Sequence, residues 1–190
     1  MSFKLACNLG EVNMIKEIKT TKEEICDYWF ARVNESDLSV DASEALERCW
    51  RCGSKWPLER CHIIPRSLGG EDVPSNYALL CQRCHLENPN VDDPEIMWDW
   101  LKAYKECYYD TYWTNRALEE YEKIYKSKFK DDIAPFEQYL TEKETKEFLE
   151  EDMDSYATHH FGQAYLNPAT VAGLMRILIK KLRVEYSVNR

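Results

Sequence analysis

The sequence has no apolar run long enough to cross a membrane, because its hydrophobic stretches are short and charged side chains interrupt them. It also has no internal repeat and no low-complexity segment. The first ten residues contain a single lysine in a mixed run, which is too weak a pattern for a secretory signal peptide. We therefore expect a cytoplasmic protein that makes no contact with membranes.

Positive charge is scarce as well. The 25 Lys and Arg residues are outnumbered by 34 Asp and Glu, which gives a net charge of −9. Most of the excess acid falls in residues 91–154, whereas residues 155–190 are net basic. A strongly basic stripe, which marks many nucleic-acid-binding domains, is therefore absent, although a negative total charge does not exclude a local basic face. We expect the acidic block to face away from nucleic acid or to bind a partner protein.

The composition is that of a folded chain. Of the 190 residues 44% are hydrophobic, and six Trp and twelve Tyr are present, which argues against disorder despite 31% charged residues. This length suits one compact domain, or a small module with an attached helical part.

Sequence patterns typical of helices occur on both sides of a central segment, Cys49 to about Asn90, in which such patterns are scarce. Thr21 and Glu24 form a capping-box pattern that predicts a helix to about Val33, followed by a polar linker over Asn34–Asp41. Caps and periodicity predict further helices at Ser43–Arg48, from Asp93-Pro94, over Tyr112–Phe129, after the capping box Thr141–Glu144, and from Asn167-Pro168 to about Leu182.

Four of the eight cysteines form two C-x-x-C pairs, Cys49/Cys52 and Cys81/Cys84, with 28 residues between the pairs. Two thiolates at this spacing can face one ion where the backbone turns tightly, and Gly53 fits such a turn. Two such turns supply the tetrahedral four-sulfur set that zinc prefers, with no position open for substrate. The alternatives are two unrelated pairs or redox dithiols, but the redox motif usually occurs singly in a βαβ context. We therefore predict a structural zinc site.

Between the two cysteine pairs, prolines and glycines divide the chain into short apolar runs. We predict two strands, Arg60–Ile64 and Tyr77–Leu80, joined by a loop over Arg66–Asn76 and followed by a helix from about Gln82. A segment this short has little core of its own, so zinc binding should supply much of its folding energy.

The central segment contains the string C-H-I-I-P-R-S-L-G-G from Cys61 to Gly70, and then S-N-Y-A-L-L-C-x-x-C-H, which ends at His85. With these strings, residues 47–90 resemble the HNH endonuclease family, also called ββα-metal or His-Me finger nucleases. The resemblance implies an α+β fold class, with a small zinc-stapled ββα-metal core embedded in a mainly α-helical chain. We expect an N-terminal helical segment at 1–42, the HNH module at 43–92 and a C-terminal helical region at 93–190.

The resemblance also implies roles for three residues. His62 is the general base that takes a proton from the attacking water, a task that suits an imidazole near neutral pH. Asn76 does no chemistry but bonds across the loop and holds the backbone of the base in place. His85 ligates one hard cation, Mg²⁺ or Mn²⁺, which neutralises the scissile phosphate and the leaving oxygen. The implied function is a metal-dependent HNH endonuclease that hydrolyses phosphodiester bonds in DNA.

Two positions depart from the family pattern. The residue before the base histidine is usually Asp or His and helps to bind the cation, but here it is Cys61, a soft ligand that matches Mg²⁺ poorly. Cys61 either coordinates a softer ion or packs as a small buried residue. Asn88, about one turn after His85, is either a further cation ligand or a helix cap before Pro89. The alternative function is a catalytically inactive zinc-stabilised module that binds nucleic acid or protein.

Several basic residues have open roles. Four arginines of the segment are candidate phosphate contacts or solvated surface charges. They are Arg66, Arg60, Arg51 and Arg83. We rank Arg66 first because it follows the predicted first strand. The last predicted helix is amphipathic and contacts nucleic acid, packs on the domain or forms a dimer interface. Its basic residues are Arg176, Lys180, Lys181 and Arg183. A homodimer or a protein partner would use this C-terminal helical region.

Overall fold

One two-stranded antiparallel sheet lies between the helices of this chain. The computed structural model describes residues 17–140 and 153–186. Strand β1 (Leu58–His62) pairs with β2 (Tyr77–Cys81), and the register places His62 opposite Tyr77. The short helix α2 (Gln82–His85) follows β2 directly and completes a ββα unit. The other α-helices are α1 (Lys22–Phe30), α3 (Pro94–Ala103), α4 (Tyr112–Tyr125), α5 (Phe129–Ile133), α6 (Met153–Tyr156) and α7 (Pro168–Glu185).

This mixture confirms the predicted α+β fold class, with differences at the ends of elements. Strand β1 starts and ends two residues earlier than the predicted strand at 60–64. Its end is set by Asn76, whose backbone carbonyl accepts from Ile63 N at 2.9 Å and whose side-chain oxygen accepts from Ile64 N at 2.8 Å. Helix α4 ends at Tyr125, and not at 129 as predicted, because Lys126 adopts left-handed backbone with φ of 56°.

Helix α1 begins with the predicted capping box. The Thr21 hydroxyl accepts from Glu24 N, and the Glu24 carboxylate accepts from Thr21 N. The helix ends at Phe30, earlier than predicted, because the amides that follow turn back onto the carbonyl of Trp29. The second predicted capping box, Thr141–Glu144, lies outside the described residues.

The predicted linker at 34–41 is wrong. Residues 34–36 are exposed, but Leu38 and Val40 are buried and belong to the main hydrophobic cluster. Between them, the hydroxyl of Ser39 donates to the carbonyl of Arg51 at 2.6 Å. The segment therefore packs against the first cysteine turn. The predicted helix at 43–48 is also wrong, since only the 3-10 turn Ala42–Glu44 forms there.

One hydrophobic cluster joins the ββα unit to helices on both sides of it in the sequence. Its members include Ile25 of α1, Leu79 and Leu80 of β2, Leu101 of α3 and Tyr112 of α4, each at most 1% exposed. The predicted boundaries at 42/43 and 92/93 thus separate segments that share a core, and the division into three domains stays a prediction. The shared core means that the ββα unit does not rely on zinc alone for its stability.

Helix α7 belongs to a second, smaller hydrophobic cluster. It packs along α4, and its Leu178 and Leu182 form a smaller cluster with Phe136. Its start is as predicted, with the Asn167 side chain accepting from Thr170 N at 2.8 Å. Within residues 17–140 and 153–186, no helix has the length and apolar character needed to cross a membrane.

Candidate active site and zinc centre

The first cysteine pair lies in a tight turn that the neighbouring chain encloses. Gly53 N donates back to the Cys49 carbonyl at 2.9 Å, and Cys49 N donates to the Ser54 carbonyl at 3.1 Å. Gly53 adopts left-handed backbone with φ of 65°, and an added Cβ would lie 2.8 Å from the carbonyl oxygen of Ser39. Only glycine fits both this conformation and this space, so the turn depends on it.

Four buried sulfurs meet where this turn faces the junction of β2 and α2. The Sγ atoms of Cys49, Cys52, Cys81 and Cys84 lie within 4.8 Å of one another, and those of Cys52 and Cys81 are 3.9 Å apart. Zinc–sulfur bonds of about 2.3 Å place tetrahedral ligands about 3.8 Å apart, so this set fits zinc. In the part of the chain that the structure describes, no other group of three or more His, Cys, Asp or Glu side chains has such geometry.

Arg51, between two of these cysteines, is buried with 2% of its surface exposed. Its guanidinium pairs with Glu87 at 2.6 Å and lies over the rings of Trp100 and Tyr104. Cys84 is close enough to act on it electrostatically, so Arg51 supplies a buried positive charge beside a site whose four thiolates carry excess negative charge. This position does not support the predicted contact between Arg51 and phosphate.

His62 ends β1 and is half-buried beside Tyr77, its partner across the sheet. Its Nε2 lies 3.1 Å from the Tyr77 hydroxyl, and this hydroxyl donates to Oδ1 of Asp72, also at 3.1 Å. Asp72 accepts from the backbone amides of Lys19 and Thr20, and these bonds lower its pKa to about 2. We call this chain of side chains the Asp72–Tyr77–His62 relay; it links the candidate base to the segment before α1.

The relay favours protonation of one nitrogen of His62. A carboxylate with a pKa of about 2 is ionised at neutral pH and can only accept hydrogen bonds. The Tyr77 hydroxyl therefore donates to Asp72, and its oxygen accepts from a proton on Nε2 of His62, which leaves the lone pair on Nδ1. Burial, together with the positive charges of Arg66 and His85, lowers the pKa of His62, so this imidazole is mainly neutral at pH 7.

Asn76 is buried inside the loop that follows His62 and uses both ends of its amide. Its Oδ1 accepts from Ile64 N at 2.8 Å, and its Nδ2 donates to the carbonyls of Ile64 at 3.1 Å and Glu71 at 3.0 Å. Gly70 lies so close that an added Cβ would clash with the carbonyl of Ile64. The amide thus holds the backbone directly after the base histidine, the position that the resemblance implied.

His85 ends α2 and faces β1. Its Nδ1 lies 2.6 Å from Oε2 of Glu59, and these side chains are 35% and 46% exposed. His85 is close enough to His62 to influence its pKa, so the two histidines share one neighbourhood. Asn88 is half-buried, and its amide donates to the carbonyl of Pro89 at 2.9 Å, which fits a role in a local turn.

Cys61 is fully buried between these groups. Its thiol donates to the backbone carbonyl of His62 at 3.7 Å, and burial together with the nearby Glu59 raises its pKa to about 12. A protonated buried thiol is not a ligand for a hard cation. Of the two alternatives that the sequence left open, the structure favours packing, and the predicted ligation of the catalytic cation by Cys61 is not supported.

The other three predicted arginines have different surroundings. Arg60 donates to two backbone carbonyls of the segment before α1, at 2.9 and 3.2 Å. Arg83 is half-buried, with its guanidinium over the rings of Trp113 and Tyr165. Arg66 is exposed in the loop directly after β1, where its charge acts on His62 and its side chain donates to the Tyr77 hydroxyl. Arg66 is therefore the arginine of this group that is best placed to contact a phosphate.

A cavity of about 550 Å³ lies beside β1 and α2. Glu59 lines it together with Gln82 and Arg83, and Trp56 and Trp113 supply apolar wall. Glu59 is the residue that this cavity shares with the candidate cation site, since neither His85 nor His62 lines it. A volume in this range is typical of sites that admit small ligands or parts of larger ones.

Three residues of this site were not predicted from the sequence: Glu59, Asp72 and Tyr77. Strand geometry contains a signal for two of them. Tyr77 opens the predicted second strand, and Glu59 stands two residues before Cys61, which in a strand places both side chains on the same face. Asp72 lies in a loop, and no local pattern points to its contact with Tyr77.

Most basic residues of α7 contact other residues of the same chain. Arg176 pairs with Asp132 at 3.1 Å, and Arg183 lies 3.7 Å from the same carboxylate. Lys181 lies over a tyrosine ring, and Lys180 is exposed. These contacts favour packing among the three roles that the sequence left open for this helix.

Comparison with known proteins gives a match for the central segment. Residues 47–90 match the family model described as HNH endonuclease. No curated protein and no solved structure matches the chain. The matched range contains the ββα unit and both cysteine pairs, and it confirms the resemblance over this segment. It indicates nuclease-type activity in general, and the four-cysteine cluster indicates a zinc site.

Proposed function

We propose that this chain is a metal-dependent endonuclease that hydrolyses phosphodiester bonds in DNA. The observation that carries the proposal is the position of His62, a half-buried imidazole whose Nε2 lies 3.1 Å from the Tyr77 hydroxyl. A hydrogen bond from Nε2 to this hydroxyl leaves the lone pair on Nδ1, and burial lowers the pKa of His62. A general base must present such a lone pair at the working pH. The match of residues 47–90 to HNH endonucleases supports the same activity.

In the proposed reaction, Nδ1 of His62 removes a proton from a water molecule while the water oxygen forms a bond to phosphorus. The bond between phosphorus and the 3′ oxygen breaks, and this oxygen takes a proton from solvent. The products carry a 5′-phosphate and a 3′-hydroxyl. Asp72 acts through Tyr77 to stabilise the positive charge that forms on His62, since this carboxylate raises the His62 pKa.

Other groups hold the substrate and the base. We propose that Arg66 contacts a phosphate beside His62, and that Asn76 keeps the loop in its working shape. When bound near His85, Mg²⁺ or Mn²⁺ would neutralise charge on the scissile phosphate and the leaving oxygen. The zinc would be structural, because four thiolates fill its coordination shell. Zinc-binding cysteines and the thiols of Cys26, Cys61 and Cys107 suit a reducing compartment, which supports a cytoplasmic location.

Cleavage of supercoiled plasmid tests this proposal. Zinc-loaded protein with Mg²⁺ or Mn²⁺ should convert the plasmid to nicked or linear forms. His62→Ala should reduce the rate by at least about 100-fold, because a general base contributes about 10²–10⁴-fold. His160→Ala, which changes an exposed histidine elsewhere, should cut like the unchanged protein. Equal cutting by His62→Ala and the unchanged protein would remove His62 from the mechanism.

A second candidate function is a zinc-stabilised module that binds nucleic acid or protein without cutting. Cys61 favours this alternative, because a buried thiol stands where family members usually carry a cation ligand. The plasmid assay separates the two functions. Binding of DNA without any cutting in Mg²⁺ or Mn²⁺ would favour the module.

Cutting of both strands in a single binding event would use two copies of the chain, because each copy has a single candidate base. We propose that the helical region after residue 93 supplies the contact between copies or with a protein partner. Its exposed apolar residues, which include Tyr108 and Val184, support this assignment. Sedimentation should show a dimer mass on DNA, and a monomer mass in reactions that yield linear product directly would contradict it.

A further inference from the structure

We propose that Glu59 and His85 together hold the catalytic cation, with Glu59 supplying the hard ligand that Cys61 lacks. The proposal rests on the proposed function, because it concerns the cation of that same reaction. It adds Glu59, a residue within the matched range 47–90 but outside the two strings, Cys61–Gly70 and Ser75–His85, that carry the resemblance. It also gives the site a ligand set whose chemistry suits Mg²⁺ or Mn²⁺.

The residue directly before His62 provides no oxygen ligand. Cys61 is fully buried, and its thiol is engaged with a backbone carbonyl. Drawing this sulfur out to a cation would expose apolar core and would pair a soft ligand with a hard ion. A carboxylate must therefore come from elsewhere if the cation is to have one.

Strand geometry provides this carboxylate at Glu59. Residues two apart in a strand project to the same face, so Glu59 and Cys61 share one side of β1 and lie opposite Leu80 and Ala78. Their Cα atoms are about 7 Å apart at the usual strand rise, a distance that the longer glutamate side chain can partly span. Unlike Cys61, Glu59 is 46% exposed and open to an ion from solvent.

Glu59 already contacts the predicted cation ligand. Its Oε2 lies 2.6 Å from Nδ1 of His85. Around Mg²⁺ or Mn²⁺, with bonds of about 2.1 Å, neighbouring ligands lie about 3 Å apart. The distance between Oε2 of Glu59 and Nδ1 of His85 therefore needs to increase by only a few tenths of an ångström to admit the ion. Both side chains are partly exposed and can move by this amount.

The negative charge of Glu59 is a second reason to expect a cation at this side chain. An exposed carboxylate beside the candidate base would repel a phosphodiester that approaches His62. A divalent cation on Glu59 reverses this local charge and converts the repulsion into attraction. The site then binds its substrate only when the cation is present, as the proposed metal dependence requires.

Mn²⁺ binding to the zinc-loaded full-length chain, without nucleic acid, tests the proposal. Electron paramagnetic resonance of free Mn²⁺ measures the dissociation constant. Glu59→Gln, which keeps the size and removes the charge, should weaken binding at least about tenfold, and so should His85→Ala. Cys61→Ala should bind Mn²⁺ like the unchanged protein. Glu71→Gln, which neutralises an exposed carboxylate of the loop, is the matched control and should also bind normally.

A double-variant cycle separates ligation by Glu59 from orientation of His85. If Glu59 is itself a ligand, adding Glu59→Gln to His85→Ala weakens Mn²⁺ binding further, measured with Mn²⁺ up to millimolar levels. If the double variant binds like His85→Ala alone, Glu59 acts only through the histidine and the proposal is overturned. Zinc content and circular dichroism of each variant confirm that the fold is kept.

Two other outcomes also overturn the proposal. They are normal Mn²⁺ binding by Glu59→Gln, and absence of Mn²⁺ binding by the unchanged protein. Neither outcome decides the proposed function, because plasmid cleavage in Mg²⁺ is measured separately. Cleavage that persists in Glu59→Gln at low Mg²⁺ would leave the nuclease in place and remove Glu59 from its cation site.

Discussion

The hydroxyl of Tyr77 lies between His62 and Asp72, 3.1 Å from each. Because Asp72 is ionised, the single proton of this hydroxyl is committed to the carboxylate, and the imidazole must donate from Nε2. A histidine in water exchanges its proton between both nitrogens, whereas the relay holds one form. At the scale of residues, the Asp72–Tyr77–His62 relay thus orients the base without touching substrate.

We expect Asp72→Asn to change both the rate and the pH dependence of cleavage. His62 acts in its neutral form, so the rate rises with pH through a pKa below the ordinary value of about 6.5 and is flat from about pH 7. Asp72 raises the pKa of His62, so its removal should move the acid limb to lower pH. The plateau should fall about tenfold, because the imidazole is no longer held in one form. A single-turnover pH–rate profile measures both effects.

Tyr77→Phe provides the companion test of the relay. It keeps the buried ring and removes only the hydroxyl, so the plateau should again fall about tenfold with little loss of stability. Glu71→Gln should leave the profile unchanged. A normal plateau in Tyr77→Phe would show that the relay does not assist His62.

Arginines that look alike in the sequence have different neighbours in the structure. Arg66→Ala should weaken DNA binding and reduce the slope of log affinity against log salt by about one, because one phosphate contact is lost. Arg51→Met should lower thermal stability and leave this slope unchanged, because Arg51 is buried beside the cysteines. Binding is measured in the His62→Ala background, with Arg116→Ala as the surface control. An unchanged slope in Arg66→Ala would contradict the assigned phosphate contact.

At the scale of elements, the zinc turns and the sheet position each other. Trp50 N, inside the first turn, donates to the Leu79 carbonyl of β2 at 3.0 Å. Cys81 ends β2 and Cys84 lies in α2, so the zinc would fasten the first turn to the point where strand becomes helix. Since His85 follows Cys84, this staple also fixes the end of α2 against β1 and its His62.

We expect removal of zinc to destabilise the ββα unit. Metal analysis should find about one zinc per chain, and Cys81→Ser should lose the zinc and unfold at a lower temperature, as followed by circular dichroism, because metal binding contributes folding free energy (about 10–16 kcal/mol in small zinc-finger peptides). Cys107→Ser changes an exposed cysteine outside the cluster and should keep the zinc. A Cys81→Ser protein that keeps full stability would show that the shared hydrophobic core suffices without the metal.

At the scale of the whole molecule, ion pairs between acidic and basic residues connect distant parts of the chain. The protein carries a net charge of −9, and its acidic residues are concentrated between the ββα unit and α7. Asp132, at 8% exposure, accepts from the Tyr121 hydroxyl at 2.7 Å and pairs with Arg176 and Arg183 of α7. Asp132 of the acidic block therefore binds two basic side chains of α7. These two arginines are then not available to contact nucleic acid.

Asp132→Asn should loosen α7 without disturbing the candidate active site. The loss of the buried charge weakens the contacts to both arginines and should reduce stability by about 1–3 kcal/mol. Hydrogen exchange should become faster in α7, while residues 49–85 and the zinc content stay unchanged. Asp131→Asn, the exposed neighbour in α5, should show neither effect. Equal acceleration throughout the chain would show instead that the two hydrophobic clusters unfold as one unit.

The sequence by itself determined the features that depend on spacing along the chain. Two C-x-x-C pairs predict a zinc cluster, and the ββα order places His62, Asn76 and His85 without further information. Strand and helix ends were less well predicted, because hydrogen bonds to Asn76 and the left-handed Lys126 set them. The buried segment at 38–40 was predicted as a linker because its polar neighbours hide two core residues.

Only the tertiary structure decided the roles that depend on neighbours from distant parts of the chain. Asp72 meets Lys19 across 53 positions, and Glu59 meets His85 across 26. Burial of Arg51 and of Cys61 likewise results from packing by other elements. Local sequence contains the ligands and the base, but the protonation of His62 and the composition of its surroundings arise from contacts that form only when the chain has folded.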